Sequence, residues 1–106
     1  MSDQVWVPAI DQSHLREGAI TLATAKGISI VLIKRGEDVY ALRNRCAHMA
    51  CTLAGGHLED RTVRCPCHGW RFDIASGVFV EAPEIAIPTY ACKSEGGQVW
   101  VKMEGL

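Results

Sequence analysis

Ile28-Ser29-Ile30-Val31-Leu32-Ile33-Lys34 is the stretch that decides the fold class. It is apolar and rich in β-branched side chains, which fit a pleated surface and lose rotamer freedom in a helix. Arg35-Gly36-Glu37-Asp38 follows as a turn, and Val39 to Arg43 resumes an extended pattern, so the two runs predict a hairpin. Further short runs follow the same logic. Thr62 to Cys65 comes after the Glu59-Asp60 turn. Arg71 to Asp73 and Gly77 to Val80 flank Ala75-Ser76-Gly77, and Thr89 to Lys93 and Gln98 to Lys102 flank Glu95-Gly96-Gly97. Strands this short, with turn signals every 8 to 12 residues, predict an all-β antiparallel sandwich or barrel. Ser13 to Ala23 is the one stretch where a helical turn competes, and Gly18 keeps it short.

The chain has 106 residues, enough for one domain over 1–106 and too few for two independent cores. Eleven basic against twelve acidic residues leave no basic stripe of the kind that binds nucleic acid. No apolar run approaches the ~20 residues that span a bilayer, and the N-terminal residues lack an export signal, so a cytoplasmic protein with no membrane role is expected. Five cysteines are too few, and odd in number, for a disulfide scaffold. A metal or redox site is the better use for them.

Asn44 to Trp70 holds four of the five cysteines and three of the four histidines, in a stretch broken by Gly55-Gly56, Pro66 and Gly69. Two clusters stand out: Cys46-Ala47-His48 and Cys65-Pro66-Cys67-His68, with sixteen residues between them. Two thiolates and two imidazoles could bind zinc. The usual zinc-finger order, however, groups two Cys and then two His. Here each loop carries one thiolate and one imidazole, an alternation that suits a two-metal cluster.

Cys46-x-His48, then Cys65-x-x-His68 continued by Gly69-Trp70-Arg71-Phe72-Asp73, resembles the Rieske [2Fe–2S] pattern of Rieske ferredoxins and ring-hydroxylating oxygenases. The resemblance extends over the whole chain and implies a small antiparallel β sandwich or barrel with two cluster-binding loops. It implies that Cys46 and Cys65 ligate one iron and His48 and His68 the other. It also implies a disulfide between Cys51 and Cys67 that ties the loops together, although two free thiols are what a reducing cytosol favours. Most ring-hydroxylating ferredoxins lack this pair, so the chain mixes features of two branches. Met49, Trp70 and Pro83 are expected to shield the cluster. High-potential members carry Ser and Tyr where this chain has Trp70 and Phe72, which implies a potential in the lower part of the Rieske range.

By the same resemblance the protein is a one-electron carrier, not itself an enzyme. It would pass electrons from an NAD(P)H-dependent flavoprotein reductase to a terminal oxygenase through transient docking, as a monomer. The alternative is a small Rieske-like subunit of a larger redox enzyme such as a nitrite reductase. His14 is expected on the surface, His57 outside both motifs, and Cys92, Trp6 and Trp100 in packing roles.

Overall fold

A computed structural model describes residues 4–36, 38–45, 52–66 and 69–104. Ten strands run in chain order: β1 Gln4–Asp11, β2 Ile20–Ala25, β3 Ile28–Arg35, β4 Asp38–Arg43, β5 His57–Glu59, β6 Thr62–Arg64, β7 Arg71–Asp73, β8 Thr89–Tyr90, β9 Cys92–Glu95 and β10 Gln98–Glu104. Single 3-10 turns cover Gln12–His14 and Leu53–Gly55. The strands form three antiparallel sheets, ordered β1-β10-β9, β2-β3-β4-β8 and β5-β6-β7.

The β3–β4 hairpin stands at the centre of the middle sheet, with Arg35 opposite Asp38 and Ile30 opposite Arg43. Successive strand residues point to opposite faces. Ile30 and Leu32 therefore enter one core, with Ala23, Ala25, Ala41, Val99 and Val101 from β2, β4 and β10. Val31 and Ile33 enter the other, with Leu42, Val63, Cys65 and Phe72. All four β3 residues are fully buried. Their burial contributes about 1.5–3 kcal/mol each relative to an exposed position. A strand covered on both faces reads as a continuous apolar run, which is why the 28–34 stretch does not alternate.

Three expectations change in detail. Gly77 to Val80 is not a full strand: Phe79 bridges Phe72, and Val78 bridges Ala86. Thr89 to Lys93 is two strands. Thr89 and Tyr90 pair with β4, the chain turns at Ala91, and Cys92 onward pairs with β10. This corner carries the chain from the middle sheet to the first. Where a helical turn competed in Ser13 to Ala23, the turn is shorter and earlier, and Ile20 to Ala23 are extended because they pair with β3.

Among the described residues no helix is long and apolar enough to cross a membrane.

Candidate metal centre

The second cysteine–histidine motif begins where β6 ends. Cys65 is buried, and its amide donates to the Trp70 carbonyl at 2.7 Å, while the Gly69 amide donates back to the Cys65 carbonyl at 3.0 Å. These two bonds close the loop between β6 and β7 at its base. Gly69 lies in the left-handed region at φ +73°, which glycine alone enters without strain. A Cβ there would sit 3.1 Å from Nε and Nη2 of Arg64, so the side-chain-free backbone also makes room for that guanidinium.

The floor under this loop is aromatic. Trp70 stacks on Phe79 with centroids 4.1 Å apart and planes 5° from parallel. Phe72 is fully buried, tilted against Phe79 at 5.6 Å. An open cavity of about 410 Å³ adjoins the loop, lined by His57, Arg64, Cys65, Pro66 and Gly69.

The first motif is held from its flanks. Asn44, the buried polar residue just before it, donates from Nδ2 to Ser29 Oγ at 3.1 Å and accepts at Oδ1 from the Ala54 amide at 2.9 Å. One side chain thus pins both the entry and the exit of the segment that carries Cys46 and His48. Gly56 brings that exit against β6: a Cβ on it would collide with the Arg64 carbonyl oxygen, one residue before Cys65. Sequence reasoning assigned no role to Asn44 or to this contact. The only signal was a polar residue directly preceding a ligand-rich loop. Asn44→Ala should cost about 1–3 kcal/mol, because the part-buried Ala54 amide loses its acceptor. Amide exchange would show Ala54 losing its protection, and an unchanged rate would refute the pin.

Of the residues singled out in the sequence, Cys65 and Trp70 meet at the loop base. Pro83 lies exposed in the Ala82–Ile85 turn, which the Ile85 amide closes on the Ala82 carbonyl at 2.9 Å. Cys46, His48, Met49, Cys51, Cys67 and His68 lie outside the described residues. Cys92 sits half-buried in the other core, where burial pushes its thiol up to about 12. His14 is exposed on its 3-10 turn, and His57 is exposed on β5 beside the cavity. Trp100 is half-buried and donates from Nε1 to the Glu95 carbonyl at 3.1 Å, and Lys93 lies over the Trp6 ring at 4.6 Å.

Comparison with known proteins decides what such a centre holds. The family model of the Rieske [2Fe-2S] domain matches residues 5–91. The chain belongs to the Rieske [2Fe–2S] domain family. It is 33% identical over 99 residues to the ferredoxin component of the naphthalene 1,2-dioxygenase system of Pseudomonas aeruginosa, covering 92% of this chain and 95% of that one. Two solved structures share the fold. One is a complex of reduced oxygenase and oxidized ferredoxin in carbazole 1,9a-dioxygenase (TM-score 0.83, 23% identity, 96% of each chain). The other is a putative NADH-dependent nitrite reductase small subunit from Mycobacterium tuberculosis (TM-score 0.86, 22% identity, 97% of this chain and 98% of that one).

The cofactor of this Rieske domain is accordingly a Rieske-type [2Fe–2S] cluster. The described residues fit it. A buried cysteine at the head of a closed loop lines a cavity walled in part by glycine backbone. The thiols and imidazoles that the two motifs carry are soft donors suited to iron–sulfur chemistry.

Proposed function

We propose that this protein is a one-electron carrier delivering electrons to a terminal oxygenase. The observation that carries the reading is the near full-length likeness to a dioxygenase ferredoxin component. In this reading Cys46 and Cys65 hold one iron, and His48 and His68 the other. Cys51 and Cys67 form a disulfide brace, and Met49, Trp70 and Pro83 shield the centre. Bound there, the cluster takes up and releases one electron. What the chain contributes is a loop closed at its base, an aromatic floor and a glycine backbone beside Cys65. An NAD(P)H-dependent flavoprotein reductase supplies the electrons, and the carrier works as a cytoplasmic monomer.

The test is replacement. With the reductase and oxygenase of the naphthalene 1,2-dioxygenase system, this protein should restore product formation when it takes the place of their ferredoxin. No electron transfer to the oxygenase, together with tight co-purification with a nitrite reductase large subunit, would overturn the reading. The likeness to a nitrite reductase small subunit is one of fold alone.

Phe72 has no hydroxyl to donate to a cluster sulfur, and it is fully enclosed by the core. The midpoint potential should therefore fall in the lower part of the Rieske range of about −150 to +300 mV. A redox titration giving more than about +200 mV would contradict this, since that lies in the upper part of the family range.

A further inference from the structure

The third sheet sets His57 directly opposite Arg64, and Arg64 directly opposite Arg71. Val80 extends the row, because its amide donates to the Arg71 carbonyl at 3.0 Å. The next row, Leu58, Val63, Phe72 and Phe79, faces the core, so by strand alternation these four side chains lie on the outer face. All four are exposed, and Val80, at 47%, is one of two large apolar side chains left exposed among the described residues. At ordinary strand spacing the row is about 14 Å long. Two of its members, His57 and Arg64, line the cavity beside Cys65.

Like charges directly opposite each other in a sheet are unfavourable unless something answers them. Two carboxylates share this face, and both are engaged. Glu59 pairs with Arg64 at 3.2 Å. Asp73 Oδ2 accepts from the amides of Ala75 and Ser76 and from Ser76 Oγ, within its own turn. Neither they nor Glu81, the next acidic residue along the chain, pairs with Arg71, which has no ion pair among the described residues. An exposed guanidinium without an ion pair, beside an exposed aliphatic side chain, is a combination that anchors protein interfaces.

We propose that the His57–Arg64–Arg71–Val80 row is a docking face for the terminal oxygenase, which meets it with a carboxylate-bearing patch. This rests on the carrier reading above. The formal charge of the whole chain is −1, and on this face Glu59 and Asp73 match Arg64 and Arg71 in number, so the attraction is local to Arg71 and acts on the encounter rate.

Dithionite-reduced wild-type, Arg71→Glu, Arg71→Gln and Lys93→Glu proteins are mixed with the naphthalene 1,2-dioxygenase oxygenase by stopped flow at rising NaCl. Arg71→Glu should lower the second-order rate constant by about tenfold at low salt, with the gap closing as salt screens the pair. Arg71→Gln should fall between the two. Lys93→Glu, the same charge change on the first sheet, should match wild type. Visible spectrum and midpoint potential should be unchanged throughout. Should Arg71→Glu lose its cluster, Arg71→Gln and Val80→Asp carry the comparison. Arg71 variants at the wild-type rate overturn the proposal, as does a defect confined to electron uptake from the reductase. A wild-type protein that reduces no oxygenase overturns the carrier reading, and this one with it.

Discussion

Serine in place of Cys65 should give protein that purifies without its cluster. The colour should be lost, and iron and acid-labile sulfide should fall to on the order of a tenth of wild type or less, because a serine hydroxyl stays protonated where a thiolate binds iron. The environment makes the loss one-sided. Cys65 is 1% exposed and packs with Leu53, Val63 and Phe72, so the core fixes where its side chain sits. The backbone of the loop should survive, because its two closing bonds run from the amides of Cys65 and Gly69 and not from the thiol. Cys92→Ser is the matched control. That thiol belongs to the other core and contacts the Tyr90 carbonyl at 3.7 Å, a contact a hydroxyl can also make. Cys92→Ser should keep full iron. Full iron in Cys65→Ser would remove Cys65 from the ligand set.

Phe72→Ala should be the most destabilising single change in the described core. Truncating a buried Phe costs about 3–5 kcal/mol. The whole stability of a domain this size is about 5–15 kcal/mol. Phe72 is fully buried, bridges Phe79, opposes Val63 across the β6–β7 ladder, and lies 6.4 Å from the Trp70 ring. Its removal opens a cavity directly beneath the loop that begins at Cys65. Urea unfolding followed by far-UV circular dichroism and visible absorbance should show both transitions at much lower urea than in wild type. Val80→Ala, on the exposed outer face, should shift them by no more than about 0.5 kcal/mol. A Phe72→Ala protein as stable as wild type would mean that the third sheet does not rest on this core.

Local signals were read correctly where the cause is local. The 28–43 hairpin, the Glu95-Gly96-Gly97 turn, the 71–73 strand and the 62–65 strand, which ends one residue early at Arg64, follow from apolar runs and turn residues. Where the cause is tertiary, the same reading went astray. Thr89 to Lys93 has nothing in it that marks Ala91 as a corner, because the partner, not the propensity, changes there. Ile20 to Ala23 turns extended only because β3 lies alongside.

By itself the sequence determined the chemistry: which residues bear thiols and imidazoles, at what spacing, in loops that Pro66 and Gly69 interrupt, and hence the family and its cluster. Covalent spacing is enough for that, since ligand type and separation are properties of the chain. Tertiary structure alone decided how the loops are held and what surrounds them. Asn44 pins Ala54 across ten residues, and Gly56 touches Arg64. His57, Arg64 and Arg71, seven residues apart each time, form one row only because two antiparallel registers superimpose them. Residues spaced evenly along the chain become neighbours when strand pairing brings them within one sheet spacing, and no reading of order along the chain contains that distance.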